Sequence, residues 1–499
     1  MLTDAFLRLR DSRAVKLIRA FIRSPWYLAV NVLLMVIAEL FSLELPVFYI
    51  YFLFIVVIFL FDEDLLGVMV LFPCHYLSIS AVNNPGKNAE TLFSDPSRMT
   101  QLVILICVYG VLFTARLISM LLLGGKRKSP ELLFGFLFFA VALVAGGAFS
   151  GHWGSRTVTF GLVEIASLAA IYFFFRYAVN WKNVPKHYGM MLFLALGVGV
   201  AAQIVGMYFL PGAIVDSSVQ RGQFYTGWGI YNNVGCIMAM CMPAPFYFAI
   251  KRKEGWIFSL TGIAFYLAVL LSQSRNAMLF GTVIFAICVV IVLIRAKGWE
   301  RWKNLIAFGA FALVGLIAGL VFRERIENLY GAINEAGFND AARFVTYEAC
   351  WKRFLEAPWF GSGFYYTPGT VLQPDTDMWT TLDNATEVKG FLPPRAHNTL
   401  FQLLASGGIF MLLAYLVHRV ETGILFFRHP TTEKTFISVC VLALLLTSLL
   451  DCHLFNFGPG LVYSTLLAFA EGDNLMRDKR SKFTLNDFKN LKIRRKKKE

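Results

Sequence analysis

Five basic side chains stand where an apolar chain has little use for them. Arg221 in Gln220-Arg221-Gly222, Arg275 in Ser274-Arg275-Asn276, Arg343, Arg395 and His397 lie in or beside stretches that separate long apolar runs. A guanidinium is a planar fork that matches the oxygens of a phosphate, so arginines gathered on one side of such a chain point to an anionic, phosphorylated ligand. Arg275 says most, because two apolar runs meet there with almost no loop, and an uncompensated cation at that place costs at least about 2–3 kcal/mol. The alternative is that its side chain snorkels to lipid head groups. His397, in Arg395-Ala396-His397-Asn398-Thr399, offers different chemistry. A neutral imidazole takes a proton from a hydroxyl near neutral pH, which makes it a general base. A lone histidine is more often structural. The junction of a long loop with an apolar run, on the same side as the arginines, favours the catalytic role, and Asn398 is placed to fix the tautomer.

Other catalytic signatures are missing. The chain has no Gly-x-x-x-x-Gly-Lys-Ser/Thr nucleotide loop, no His-Glu-x-x-His zinc helix and no Gly-x-Ser-x-Gly elbow. Gly361-Ser362-Gly363 is too short for an elbow and reads as a turn. Asp375 and Asp377 have the spacing of a metal-binding pair but sit in a polar loop, where solvated carboxylates are the rule. The cysteines lack Cys-x-x-Cys spacing, and all but Cys350 fall in apolar runs, so they read as small packing residues. No metal and no cofactor are expected, and the energy for any reaction must come from the substrate itself.

The elements that position these residues follow from composition. Of 499 residues 57% are hydrophobic and 16% charged, which excludes a water-soluble fold of this size. Apolar runs near 27–44, 45–62, 65–83, 99–123, 132–151, 157–179, 190–211, 232–250, 257–274, 277–295, 305–322, 398–419, 436–454 and 459–471 are candidate spans. The net charge of +14 would suggest nucleic acid in a soluble protein. Here it falls in short segments beside the apolar runs, as the positive-inside rule demands, and no nucleic-acid partner is expected. With a cytoplasmic N-terminus, one orientation puts Lys126-Arg127-Lys128, 181–186, Lys251-Arg252-Lys253, 295–303, 419–434 and the tail on the cytoplasmic side. Two sizeable external loops remain, 211–231 and 323–397.

The fold class expected is all-α: a polytopic transmembrane helical bundle of about 12–14 spans with one large, partly helical external loop. Residues 1–26 form a basic cytoplasmic helix on this reading, 27–322 and 398–472 the transmembrane helices, 323–397 the loop, and 473–499 a basic cytoplasmic tail held to anionic lipid or simply solvated. In the loop, 322–330 and 341–355 suit short helices. Its aromatic residues, Trp351, Trp359, Phe360, Phe364, Tyr365, Tyr366 and Trp379, suit sugar rings.

These residues resemble the bacterial superfamily of O-antigen ligases, O-antigen polymerases and O-linked oligosaccharyltransferases. The resemblance is carried by His397-Asn398 followed by Gly407-Gly408 at the head of a span, and by Arg343, Trp351, Pro358, Gly361 and Gly363 upstream. Ser274-Arg275-Asn276 and Asn232-Asn233 complete it, so that it covers residues 221–408; the N-terminal half is similar only in hydropathy. Ser406 stands where the family often has Glu. The resemblance implies a metal-independent, inverting transfer of a glycan from undecaprenyl diphosphate, at the periplasmic face of a bacterial inner membrane. His397 would be the base, Arg221 and Arg275 the diphosphate clamp with Arg343 and Arg395 behind them, and Asn398 and Asn232 supporting residues. Among the acceptors the lipid A core of lipopolysaccharide is favoured, which makes an O-antigen ligase. A polymerase joining repeat units and a protein O-oligosaccharyltransferase come next. A lipid-linked glycan transporter is the reading from a different class, and would show inverted repeats and charged midplane breaks.

Overall fold

The computed structural model describes residues 12–41, 43–61, 65–81, 96–123, 129–150, 153–209, 225–226, 229–321, 323, 340–363, 370–373, 378–381, 387–389 and 396–477. From the N-terminus run α1 (Arg13–Ile22), α2 (Pro25–Phe41), α3 (Glu44–Phe61), α4 (Leu66–Ala81), α5 (Pro96–Leu123), α6 (Leu133–Ala145), α7 (Ser155–Ala178) and α8 (Tyr188–Phe209). A small ribbon, β1 (Tyr225–Thr226) and β2 (Gly229–Ile230), leads into α9 (Tyr231–Cys241), α10 (Pro243–Lys251), α11 (Gly255–Leu271), α12 (Arg275–Arg295) and α13 (Gly298–Val321). The long loop contributes α14 (Asp340–Glu356), at the place expected for its second helix, and an antiparallel sheet of β3 (Thr370–Gln373), β4 (Met378–Thr381) and β5 (Glu387–Lys389). Helices α15 (Thr399–Phe427), α16 (Thr432–Thr447) and α17 (Phe457–Arg477) follow.

The protein is thus an all-α, polytopic chain. Among the described residues six helices are long and apolar enough to cross a membrane: α7, α8, the α9–α10 pair, α12, α13 and α15. They become seven if α1 and α2, bent by 74° at Ser24, count as one span. The other apolar runs also form helices, but α6 and α11 are too short to meet that criterion by themselves. Each backbone N–H and C=O must be satisfied within a span, which is why apolar runs of this length become helices. Helices α9 and α10 lie in the middle, almost wholly buried, whereas α13 faces outward.

Two helix boundaries differ from the apolar runs. Helix α16 stops at Thr447 rather than 454, because Asp451 and His453 turn their side chains to a polar cluster instead of continuing the helix. Helix α15 runs on to Phe427 but is broken at Gly408 (φ 62, ψ −156). In an unbroken helix Ile409 and Phe410 would donate to the carbonyls of Ala405 and Ser406. Instead Ile409 N donates to Pro358 O (2.8 Å) and Phe410 N to Trp359 O (3.1 Å), while Ser362 N and Gly363 N donate to the vacated carbonyls at 2.9 and 2.7 Å. The segment after α14 is spliced into the break, so no backbone group is orphaned. Such an approach leaves no room for side chains: a Cβ on Gly361 would sit 2.5 Å from Gly407 N, and one on Gly408 2.6 Å from the carbonyl carbon of Trp359. The Pro-x-x-Gly-x-Gly of the loop and the Gly-Gly of the span are two halves of one joint. Gly408→Ala is expected to lose about 1–3 kcal/mol of stability, read as a lower thermal unfolding midpoint in detergent. An unchanged midpoint would remove the steric account of the break.

The opposite end of the bundle is fastened by charge. Arg176 of α7 and Glu471 of α17 form a buried ion pair joined by Tyr172. Beside it Lys434 donates to Leu425 O (2.6 Å) and Asn474 Oδ1 (2.7 Å), and Arg428 meets Glu131 at 3.1 Å.

Candidate functional site

At the end where α9, α12 and α15 begin, three helix N-termini converge on the connection between α16 and α17. Each start is marked in the sequence. Gln273, at φ +58, turns the chain after α11 so that Ser274 caps α12, its hydroxyl accepting from Ala277 N at 3.2 Å. Arg275 is therefore the first residue of α12. Asn398 caps α15, its Oδ1 accepting from Leu400 N (2.8 Å) and Phe401 N (3.2 Å). Uncompensated N–H groups and the positive ends of the helix dipoles make such a place favourable to anions.

His397 immediately precedes that cap. Its backbone is in the left-handed region (φ +51), unusual for a residue with a Cβ. Tyr347 of α14 holds it there, donating to His397 O at 3.1 Å while its ring stacks on Phe401 at 4.9 Å between centroids. The imidazole is about half exposed, and its Nδ1 faces Asp451 Oδ1 at 3.5 Å. Asp451 itself is buried. Cys452 N donates to its Oδ1 (2.7 Å) and Asn232 Nδ2 to its Oδ2 (3.0 Å), while Asn232 Oδ1 accepts from Ser274 Oγ (3.1 Å). An unbroken chain of contacts thus runs from His397 through Asp451 and Asn232 to the residue before Arg275. His453 lies behind it, with Nε2 3.9 Å from Asp451 Oδ2, 3.4 Å from Asn276 Nδ2, and Nδ1 3.3 Å from Asn233 Oδ1.

Electrostatics fits this wiring. Burial by itself would raise the Asp451 carboxyl, but His453, His397 and the Cys452 N–H hold it well below the usual carboxylate range. Burial pushes His453 below its ordinary value, against the upward pull of Asp451. The Asp451 carboxylate is thus the negative charge facing His397. The arrangement is one of acid, imidazole and open solvent: the carboxylate orients Nδ1–H and leaves Nε2 for a hydroxyl.

The expected site residues fare unequally. His397, Asn232 and the head of α12 that carries Arg275 are brought together. Asn398 belongs to the same junction, but its side chain caps α15 and donates to Leu449 O (2.7 Å); the group facing the imidazole is Asp451. Arg343 lies on α14. Arg221 and Arg395 lie outside the described residues, as do Asp375 and Asp377. Among the described residues no trio of His, Cys, Asp or Glu converges as a metal-binding set. Asp451 and His453 escaped the sequence reading, although two titratable groups inside a nominal span are themselves a signal.

Fold and site together define a multi-pass membrane protein whose polar machinery lies at the helix starts of one end. A family model described as O-antigen ligase matches residues 260–416, from within α11 to within α15 and so including Arg275 and His397. That stretch is similar to the O-antigen ligase family, and the similarity suggests glycosyl transfer of the O-antigen ligase or polymerase type. No curated protein matches the chain.

Proposed function

We propose that the protein transfers a glycan from undecaprenyl diphosphate to a hydroxyl of the lipid A core, at the periplasmic face of a bacterial inner membrane and without a metal ion. The observation that supports this most is the pairing of His397 Nδ1 with buried Asp451, joined through Asn232 and Ser274 to the helix start at Arg275. His397 Nε2 takes the proton of the acceptor hydroxyl, and the oxygen attacks the anomeric carbon from the face opposite the diphosphate. The carbon–oxygen bond to the carrier breaks with inversion. Polyprenyl diphosphate leaves, its growing charge met by Arg275, Arg221 and the converging helix starts. The sugar–diphosphate bond supplies the driving force, so no nucleotide is needed.

Purified protein, given undecaprenyl-diphosphate glycan as donor and lipid A core as acceptor in EDTA, should glycosylate the core. Longer glycans on the carrier with an unmodified core would make it a polymerase, and dependence on added divalent metal would remove the metal-free mechanism. Arg275→Ala should bind the donor about 10- to 100-fold more weakly, the loss of a charged hydrogen-bonding partner. Equal donor affinity would take Arg275 out of the clamp.

A further inference from the structure

At the end opposite His397, where α8 begins and α10 and α17 finish, lies a cavity of about 330 Å³ whose lining carries both signs of charge. Lys186, Lys251 and Arg477 are exposed there, and Arg477 Nε already pairs with Asp473 Oδ2 at 3.0 Å. Glu433 and Asp473 are set deeper, each only partly accessible. The ion-pair contact of Glu433 is with His187 Nδ1, at 3.9 Å. His187 is held in place by Tyr247, whose hydroxyl bonds the same nitrogen, and by a left-handed backbone (φ +67). The cavity thus offers two outer lysines and, deeper, the Glu433 carboxylate beside an aromatic face. A simple anion would meet the Glu433 carboxylate, and a simple cation would have to pass the lysines. A compact zwitterion, with phosphate outward and ammonium inward, satisfies both layers.

A second feature says where such a head group comes from. The same two helices that line the cavity through Tyr188, Gly189, Tyr247 and Lys251 also line an apolar groove of about 640 Å³ through Met191, Leu194, Phe248 and Arg252. The groove continues along α2 through Leu28, Val32 and Val36, an apolar lining that suits an acyl chain. Charge at the helix ends above an apolar furrow is the layout of a phospholipid.

We propose that this end binds one phospholipid with a phosphoethanolamine head, its phosphate against Lys251 and Lys186, its ammonium against Glu433, and an acyl chain in the groove. The site fastens α8, α10, α16 and α17 at the end remote from the catalytic cluster, and it stands or falls independently of the transfer reaction.

The test is the thermal unfolding midpoint of the purified full chain in detergent, titrated with short-chain phosphatidylethanolamine, phosphatidylglycerol or phosphatidylcholine, and with free phosphoethanolamine. Phosphatidylethanolamine should raise the midpoint by at least about 3 °C at saturation. The glycerol lipid, which lacks an ammonium, and the choline lipid, whose ammonium has no hydrogen to donate, should do markedly less, as should the chainless head group. Glu433→Gln should abolish the preference for ethanolamine over glycerol, and Lys251→Gln, at an exposed position, should weaken the response to every phospholipid, each judged against its own lipid-free midpoint. Equal shifts with phosphatidylglycerol would overturn the zwitterion assignment, and equal shifts with phosphatidylcholine the ethanolamine head. A full shift from free phosphoethanolamine would overturn the lipid, and an undiminished response in Lys251→Gln would overturn the site.

Discussion

His397→Ala should abolish most glycan transfer while leaving the donor bound as tightly as before, with kcat lower by roughly 100- to 10,000-fold. The reason is the division of labour at the junction. The donor's diphosphate is assigned to Arg275 and the helix starts, none of which uses the imidazole, so binding survives. The acceptor hydroxyl, by contrast, is a poor nucleophile until a base takes its proton, and Nε2 of His397 is the base left open when Nδ1 faces Asp451 at 3.5 Å. The half-exposed side chain can be truncated without a cavity, so the variant should fold. Its backbone also relaxes without loss of the α15 cap, which depends on Asn398. The check is single-turnover transfer at saturating donor and acceptor, together with a donor-binding measurement. A rate within about tenfold of wild type would exclude general-base catalysis by this residue, and a parallel loss of donor affinity would make it part of the phosphate clamp instead.

The precision asked of His397 explains why the chain invests in the joint at Gly408. The first turns of α15, from Thr399 to Gly407, carry the histidine junction at one end and the spliced loop segment at the other. Helix α14 lies along them, with Tyr347 against His397 and Phe401 and the Pro358–Gly363 segment locked into the break. Thr399 N donates to Ser448 O at 3.0 Å, which ties the same turns to the segment that carries Asp451. His397, the segment that carries Asp451 and the loop are therefore fixed to one another by backbone hydrogen bonds rather than by side-chain contacts alone. An error of about 1 Å at a reacting centre can cost two orders of magnitude in rate, so such bracing has a functional return.

What was legible in the sequence is what depends on local pattern. The apolar runs became helices, 341–355 became α14, and the short link at Ser274 placed Arg275 at a helix start, because periodicity, capping residues and polarity boundaries are local signals. What was not legible depends on partners far apart in the chain. Gly407-Gly408 reads as part of a continuous apolar helix until Pro358 and Trp359 supply the acceptors, and Ser362 and Gly363 the donors, that let it break. Asp451 was hidden in the run 436–454, whose composition promised a span; the helix ends at Thr447 because Asn232 and Cys452 N–H offer its carboxylate better partners than the bilayer would. Asn398, adjacent to the histidine in sequence, drew the supporting role by proximity, yet its side chain is already committed to the cap. The polar cluster at the cavity beside Lys251 was equally invisible, since its carboxylates come from α16 and α17 and its cations from three separate segments.

Asp451→Asn should come close to His397→Ala in its effect on turnover, although it changes only one atom and touches neither substrate. Three donors face the carboxylate: Cys452 N and the His397 imidazole at Oδ1, and Asn232 Nδ2 at Oδ2. An amide has one acceptor oxygen, so one side must become donor against donor. If the amide oxygen stays with Cys452 N–H, its NH2 opposes Asn232, whose link to Ser274 and the start of α12 then loosens. If it turns to keep Asn232, its NH2 opposes both the peptide and His397, and the imidazole must rotate or adopt the tautomer that presents N–H to the acceptor. Either outcome removes the charge that stabilises the imidazolium formed when His397 takes a proton, and kcat should fall by about 100- to 10,000-fold with a nearly unchanged KM for donor. Stability should fall too, by about 1–3 kcal/mol for the buried polar group left unsatisfied. The sign of its pH dependence follows from the depressed carboxyl: in wild type this stabilisation is complete above the ordinary carboxylate range and is lost only as pH falls through the lower folded-state value, whereas the amide has nothing to titrate. Wild type and variant should therefore differ in unfolding midpoint at pH 7 and converge in strong acid. A variant that is less stable but turns over normally would make Asp451 a structural anchor alone; one that turns over slowly, with a KM for acceptor unchanged and a shifted pH profile, would place it in direct command of the histidine.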